Sequence, residues 1–348
     1  MLKLIQPQSL WTSTIMVLAV GLTNCGQSNN SNEIGTAMVS EGDKPTVVAS
    51  YSILCDFTET IAQETVDLNC LIEPGQSPHA YKTTPSDRQV MERAQLILYG
   101  GYEFEPNMIG LVKATNTPAP KVAVHEEAVT QPILGHHHHE EEEEEHGRDH
   151  EATEHYEDEK EPDSHVWLNV QNAVAMVEVI KEHLVEVNPE KAQLYTDNSQ
   201  KLQLQLQQLD NWVKEQVQTI PKGQRTIVTT HDALAYYTQA YGFETSDSLQ
   251  GLSAEEVPTA RQVKELVEKI ETARVPTIFA EVTSNDKVIA TVAREANAKL
   301  SEQELVVDGL GRKDSTTGTY IGMMVHNTCT IVEGLGGKCQ SFPLPRVD

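Results

Sequence analysis

The alternation of short apolar runs with helical patterns constrains the fold of this chain most strongly. Seven runs, each suited to a buried strand, recur along the sequence, and helical patterns lie between most of them. The runs are residues 45–54, 68–72, 96–99, 121–124, 226–228, 277–280 and 305–307. Buried strands that alternate with helices are typical of α/β folds, because a helix usually makes the crossover between parallel strands. The sequence therefore predicts an α/β protein with mostly parallel sheets.

One long helix is predicted over residues 189–220. Its apolar residues are three or four positions apart and so share one face: Leu202, Leu206, Leu209, Val213, Val217 and Ile220. Neither Gly nor Pro occurs from residue 190 to 220, and about 30 helical residues span roughly 45 Å. This length suits a rod that joins an N-terminal α/β lobe (45–188) to a C-terminal α/β lobe (221–348), although a coiled coil is the alternative.

The pattern Pro-(Ser/Thr)-x-Arg-Gln-Val occurs once in each half of the chain, at the start of a predicted helix. We expect Ser86 and Thr259 to cap these helices, and Gln89 and Gln262 to complete the capping boxes. The repetition indicates either two lobes of similar build or the recurrence of common capping chemistry.

The first 25 residues predict export. Residues 10–22 form an apolar segment of the length of a signal-peptide core, which is short for a membrane span of about 20 residues. The segment ends in Leu-Thr-Asn-Cys-Gly around Cys25, which resembles a bacterial lipobox. Cys25 would then carry a lipid, with plain cleavage as the alternative, and residues 26–44 read as a flexible tether. We expect a periplasmic or otherwise extracytoplasmic protein whose only membrane contact is this anchor.

Export places the other four cysteines in an oxidising compartment. They allow three pairings, of which Cys55 with Cys70 and Cys329 with Cys339 is the simplest, although distance along the chain does not decide among them. Their spacings are too long for a structural zinc site.

Charge excludes one class of partner and points to another. The chain has 52 acidic and 26 basic residues, a net charge of −26, so nucleic acid is a poor partner. Residues 135–161 contain 13 of the acidic residues and seven of the 13 histidines: His136, His137, His138, His139, His146, His150 and His155. Imidazole suits zinc, copper and nickel, and the acidic residues concentrate cations. We expect a disordered loop that collects zinc weakly, with a merely solubilising charge run as the alternative.

Four other segments place a candidate metal ligand near a predicted strand or loop. His79 follows the second strand, His165 follows the acidic loop, and His231 and Asp308 each stand at a strand end. Ligands of open α/β sheets bind beyond the carboxyl ends of the strands. Isolated histidines are more often ordinary surface or core residues, and we interpret three of them so: His125, His183 and His326.

Taken in this order, the motifs resemble the metal-binding substrate-binding proteins of ABC importers, specifically the zinc-uptake (ZnuA-type) members of the zinc and manganese group. The resemblance extends roughly from residue 45 to 336. It rests on residues 77–81, 84–87, 164–169, 230–233, 278–281 and 308–311, with Thr319 and Tyr320. It implies two Rossmann-like α/β lobes with mostly parallel sheets, joined by one long rigid helix, with a metal in the cleft between them. Gly309 departs from the family pattern, where Pro is usual.

The resemblance also implies a ligand set: His79, His165, His231 and Asp308. Three imidazoles and a carboxylate suit tetrahedral zinc at about 2.0–2.2 Å. Manganese prefers more oxygen, and manganese-binding members have a carboxylate at the position of His231. Glu281 or water could replace Asp308 as the fourth ligand, and Asp232 and Glu281 are expected to hydrogen-bond the ligating histidines.

We therefore predict a monomeric, non-enzymatic protein that captures Zn²⁺ and passes it to the membrane permease of an ABC transporter. Two alternatives stay open. A zinc hydrolase would need an open zinc position and a general base, for which Glu281 could be nominated. A manganese-binding or adhesin-like lipoprotein would use the same fold.

Overall fold

We describe the protein from a computed structural model over residues 44–136, 160–253, 255, 257–284 and 286–343. The predicted signal peptide, Cys25 and the tether as far as residue 43 lie outside these residues. Six of the seven loop histidines also lie outside them, and only the backbone of the seventh, His136, is described.

The N-terminal lobe is built on a four-stranded parallel sheet in the order β2-β1-β3-β4. In chain order its elements are β1 (Thr46–Tyr51), α1 (Ser52–Ala62), β2 (Asp67–Ile72), α2 (Pro85–Arg93), β3 (Leu96–Tyr99), α3 (Pro106–Ala114), β4 (Lys121–Ala123) and α4 (Val124–Ala128). β1 is buried along almost its whole length, as expected for an inner strand of a parallel sheet. The predicted strand 45–54 thus ends at Tyr51, where α1 begins.

A small antiparallel hairpin follows, formed by β5 (Leu134–His136) and β6 (Lys160–Pro162). Residues 135, 136, 160 and 161 fall within the segment expected to be a disordered loop, but they form these paired strands instead. The hairpin therefore holds the two ends of the His-rich segment side by side, while residues 137–159 lie outside the described residues.

Two long helices come next, α5 (Val170–Val187) and α6 (Ala192–Gln218). α6 follows a short 3₁₀ turn at Pro189–Lys191, and its 27 residues span roughly 40 Å. All six apolar residues of the predicted stripe are buried. The long helix predicted from the sequence is therefore present, and its apolar face is the buried one.

The C-terminal lobe has shorter strands. Its elements are β7 (Thr226–Thr229), α7 (Ala235–Tyr241), β8 (Thr245–Ser248), α8 (Ala260–Ala273), β9 (Thr277–Ile278), α9 (Asp286–Glu295), β10 (Lys299–Leu300) and α10 (Tyr320–Gly334). β7 pairs with β8 and β9 with β10, both in parallel. The N–H of Phe279 donates to the carbonyl of Val228 at 2.9 Å and so links the two pairs. In the predicted strand 305–307, Leu305 makes only an isolated bridge, to Glu281.

The two repeated motifs start their helices differently. α2 is capped by Thr84, with Asp87 completing the capping box, so the prediction of Ser86 and Gln89 was wrong. Thr84 can cap because Pro85 fits the first helical position, where its missing N–H costs nothing. α8 is capped by Thr259 with Gln262, as predicted. The shared residues therefore occupy different helical positions and do not mark equivalent points of two lobes.

The lobes are joined by more than α6, which packs against α1, α5 and α10. The indole N–H of Trp167 donates to the carbonyl of Val307 at 3.1 Å, and the Tyr320 hydroxyl donates to the carbonyl of Trp167 at 2.7 Å. One apolar core extends from β1 through α6 to α10. The α/β fold with parallel sheets and a long helix is therefore confirmed.

Each lobe contains one disulfide. Cys55 in α1 pairs with Cys70 in β2, and Cys329 in α10 pairs with Cys339, with Cα atoms 5.9 and 5.1 Å apart. The simplest of the three pairings is therefore the one observed. In the part of the chain that the structure describes, every helix is too short or too polar to cross a bilayer.

Candidate metal centre

Four side chains from different segments converge between the lobes. His79 lies in the loop after β2, His165 follows β6, His231 follows β7, and Asp308 follows the bridge residue Leu305. One donor atom of each lies within 4.8 Å of the others. We call these residues the four-residue cluster.

The Asp308 carboxylate is at the middle of this cluster. Its Oδ1 atom lies 3.2 Å from Nε2 of His231, 3.5 Å from Nε2 of His165 and 3.7 Å from Nε2 of His79. Oδ1 of Asp308 and Nε2 of His79 are both buried without a hydrogen-bond partner. Buried polar atoms are nearly always paired in native proteins. Because these donor atoms all converge on one point, a cation at that point would satisfy them together.

Two further carboxylates hold the imidazoles in place. Oδ1 of Asp163 lies 2.8 Å from Nδ1 of His165 and accepts the backbone N–H of the same residue at 2.9 Å. Glu281 does the same for His231, through a hydrogen bond to Nδ1 and a 3.3 Å bond from the backbone N–H. An imidazole that donates Nδ1–H to a carboxylate presents a free lone pair on Nε2, which faces the cluster here.

Sequence reasoning nominated Glu281 for this role but missed Asp163. The available signal was its position, two residues before His165 and close enough to reach back to it. Asp232 was also nominated, and its backbone N–H donates to the carbonyl of Gly251 at 2.8 Å.

The charges around the cluster shift its ionisation. Burial would lower the pKa of His231, but the carboxylates of Glu281 and Asp308 outweigh burial and raise that pKa well above its usual value. Burial also opposes the charge on His165, yet Asp163 and Asp308 raise its pKa. The pKa of His79 is lowered, since burial outweighs Asp308 there. The pKa of Asp308 lies well below normal, because the imidazoles overcome the effect of its burial. The metal-free cluster therefore attracts protons at the positions where a cation would bind.

An aromatic wall closes the N-terminal side. The Phe104 ring lies 5.1 Å from the His79 ring and 4.7 Å from the ring of Trp167. Behind it, Glu105 accepts hydrogen bonds from the Ser50 hydroxyl at 2.7 Å and from a backbone N–H, and burial raises its pKa to about 7. This wall packs apolar rings against one side of the cluster, and a low local dielectric strengthens electrostatic attraction there.

The isolated histidines lie outside the cluster. The Nε2 atom of His125 is 2.7 Å from the Tyr51 hydroxyl, and burial lowers the His125 pKa to about 3. His183 contacts two surface glutamates, and His326 donates to the carbonyl of Glu304 at 2.9 Å.

Comparison with known proteins identifies the family. A family model described as "Zinc-uptake complex component A periplasmic" matches residues 47–334. This chain belongs to that family. Its curated relatives include the manganese-binding lipoprotein MntA of Halalkalibacterium halodurans, which is 34% identical over 92% of this chain and 96% of that protein. The zinc-binding protein TroA of Treponema pallidum is 32% identical over the same shares of the two chains.

Solved structures agree with this assignment to the zinc-uptake component A family. The periplasmic zinc-binding protein TroA of Treponema pallidum superposes with a TM-score of 0.73 at 32% identity, covering 84% of this chain and 99% of that one. The protein is therefore a metal-binding substrate-binding protein of an ABC importer, and it is not an enzyme. Glu281, the nominated base of a hydrolase, is engaged with His231 and the Ser284 hydroxyl.

Proposed function

We propose that this protein captures Zn²⁺ outside the cytoplasm and delivers it to the permease of its ABC importer. The ion would be held by the four-residue cluster of His79, His165, His231 and Asp308. The observation that carries this proposal is the convergence of their donor atoms within 4.8 Å, with two buried atoms left unpaired. In this account the protein acts as a monomer that makes and breaks no covalent bond.

The donor types favour zinc. Zinc accepts tetrahedral sets of imidazole nitrogen and carboxylate oxygen, whereas manganese prefers a larger number of oxygen donors. Here three of the four donors are imidazoles. The carboxylates behind two of them, Asp163 and Glu281, resemble the outer partners that orient histidines around zinc.

Manganese is the second candidate, because a relative at 34% identity over almost its whole length is named as manganese-binding. Binding by that relative does not fix the metal of this chain. The preference for zinc over manganese should depend on the ratio of nitrogen to oxygen donors in the cluster, which a single substitution changes.

The test is a competition titration of zinc against manganese, with bound metal counted by mass spectrometry. The wild type should take up zinc in preference to manganese. His231→Glu should move the preference toward manganese, since it replaces an imidazole by a carboxylate. His326→Glu is the matched control on α10, outside the cluster, and should leave the preference unchanged. A wild type that prefers manganese, or a His231→Glu variant with unaltered preference, would contradict the proposal.

The His-rich segment is proposed as an auxiliary, weaker zinc collector. The β5–β6 hairpin supports this role because it holds both ends of the segment beside Asp163 and His165. Deleting residues 137–159 should lower the number of zinc ions bound and spare the tightest one. Loss of the tightest binding would contradict a two-tier arrangement.

Lipidation of Cys25 is likewise proposed, as the means of keeping the protein near its permease. Cells fed a labelled fatty acid should label the wild type and not a Cys25→Ala variant. A wild-type protein that is cleaved but unlabelled would indicate simple export instead.

A further inference from the structure

The four-residue cluster is not equally shielded from solvent. The His79 side chain is 7% exposed, whereas those of His165, His231 and Asp308 are 0% exposed. A cavity of about 210 Å³ adjoins His79. Its lining includes Glu161, Pro162 and Ser164 from the N-terminal lobe and Leu252 and Ser253 from the C-terminal lobe. Because both lobes line this cavity, an ion moving through it toward His79 passes between them.

Leu252 closes one side of the cavity against the β5–β6 hairpin. It is 5% exposed, and its side chain lies directly on Gly135 in β5. A methyl group added at Gly135 would stand 2.7 Å from Cδ2 of Leu252. Gly135 pairs in register with Glu161, which lines the cavity from β6. This apolar contact therefore joins the C-terminal lobe to the hairpin at the rim of the cavity.

Tyr236 also connects the C-terminal lobe to this hairpin, at the residues that flank its two strands. Its hydroxyl, carried on α7 of the C-terminal lobe, accepts the N–H of Ile133 at 3.0 Å and donates to the carbonyl of Asp163 at 3.2 Å. Ile133 and Asp163 are themselves joined by a 2.8 Å backbone hydrogen bond. The side chain of Asp163 in turn holds His165. One hydroxyl thus connects the second lobe, the hairpin and a member of the cluster.

We propose that Leu252 and Tyr236 form a latch between the C-terminal lobe and the hairpin, and that this latch sets the rate of metal exchange past His79. The proposal rests on the zinc-binding function proposed above. Leu252 is not one of the four proposed ligands, so its removal takes no donor atom from the bound ion. Opening the latch lies on the path of an ion in both directions. Weakening it therefore lowers one barrier that arrival and departure share.

The test measures zinc arrival and zinc release by stopped-flow, with an excess of fluorescent chelator for release, on the full chain. Leu252→Ala removes the latch side chain. Gly135→Ala adds a methyl group that must push the flexible end of Leu252 aside. Both rates should rise together by about tenfold in each variant, and their ratio, the dissociation constant, should stay unchanged. The agreement of two opposite changes, one removing atoms and one adding them, protects the test against a simple folding defect.

Matched controls are available for both changes. Leu204→Ala removes an exposed leucine on α6, and Gly110→Ala adds a methyl group in α3 where no atom lies within 4 Å apart from the adjacent residues and the backbone of the same helix. Neither should alter the exchange rates. Unchanged rates in both latch variants would overturn the proposal, as would faster release with unchanged arrival, since that indicates damage to the bound state.

Tyr236→Phe tests the polar part of the latch as a positioning residue. It should also speed arrival and release together, whereas a purely structural role would lower the melting temperature and leave both rates alone. A wild type that binds no zinc would refute the proposed function. A wild type that binds zinc, with variants that exchange it no faster, would refute only the latch.

Discussion

The two lobes contribute different chemistry to the same point in space. The N-terminal lobe supplies two imidazoles, those of His79 and His165, and the C-terminal lobe supplies the imidazole of His231 with the carboxylate of Asp308. Asp308 is the one anion among these four, and its Oδ1 lies 3.2–3.7 Å from all three imidazoles. The C-terminal half can therefore attract a cation by charge, whereas the N-terminal half completes its coordination and, through His79, faces the solvent.

The supports behind the two halves are alike in design. Asp163 holds both Nδ1 and the backbone N–H of His165, and Glu281 holds the same two groups of His231. They differ in sequence distance, which is two residues in the first case and 50 in the second. Unrelated segments thus reach equivalent local geometry, and the lobes differ in charge and exposure more than in how their histidines are fixed.

Substitution of a cluster residue should have the largest effect on zinc affinity, and its size should differ between the C-terminal and the N-terminal half of the cluster. Asp308→Ala should weaken zinc binding by roughly a hundred- to a thousandfold, since four-ligand zinc sites are worth about 10–16 kcal/mol in total. His79→Ala should cost less, because it removes a neutral donor at the exposed edge that water can replace. Chelator competition measures both, with Asp314→Ala, an exposed aspartate beside Arg312, as the control. A larger loss of zinc affinity from His79→Ala than from Asp308→Ala would contradict the view that the C-terminal half attracts the cation and the N-terminal half completes its coordination.

The supporting carboxylates should have the next largest effect. Asp163→Asn and Glu281→Gln should each weaken zinc binding by about 10- to 100-fold, because the imidazoles lose the partners that orient them. The two losses should be similar if the supports are equivalent. The same titration checks this, and a loss confined to one lobe would break the parallel between them.

The pH dependence should reveal how the carboxylates affect the two histidines that they support, one in each lobe. The neighbouring carboxylates raise the pKa values of His165 and His231 above the usual 6.5, so both imidazoles hold protons in the metal-free protein to higher pH. Zinc must displace these protons, and its affinity should therefore fall as pH decreases, beginning above the usual histidine range. Calorimetry in buffers of different ionisation enthalpy counts the protons released.

Glu281→Gln sharpens that measurement. Without this carboxylate the His231 pKa should drop, and the pH at which affinity begins to fall should move down. Zinc affinity that is constant between about pH 6 and 8 in the wild type would contradict the predicted proton competition.

The disulfides should have the smallest effect on binding. Replacing both members of either pair, Cys55 with Cys70 or Cys329 with Cys339, should lower the free energy of unfolding by about 2–4 kcal/mol. Zinc affinity should stay within about twofold of wild type, since neither bridge includes a member of the cluster. Denaturant unfolding measures the change in the free energy of unfolding, and competition titration measures zinc affinity. A large loss of zinc affinity would contradict this prediction and show that the rigidity of the lobes contributes to binding.

Much of the fold could be predicted because its signals are local. The stripe from Leu202 to Ile220 predicted α6, and six of the seven apolar runs match the strands β1 to β4, β7 and β9 to within about three residues. β8 was missed because its sequence, Thr-Ser-Asp-Ser, is polar. The cap of α2 was misplaced because two hydroxyl residues flank Pro85, and the fit of proline to the first helical turn decides between them.

The candidate centre was only partly predictable. Its four members stand at motifs that the family resemblance made recognisable, although each is weak alone. The hairpin and its bond to Tyr236 were not predictable, since Tyr236 and Ile133 are 103 residues apart and no periodic pattern connects them. Contacts of this kind depend on how the lobes pack, which no local rule specifies.

The most direct test of zinc binding between the lobes is anomalous diffraction at the zinc edge, from crystals loaded with one equivalent of zinc. We expect one dominant peak about 2.0–2.2 Å from Nε2 of His79, His165 and His231 and from one carboxylate oxygen of Asp308. A dominant peak elsewhere, or one bound by residues of a single lobe, would contradict it.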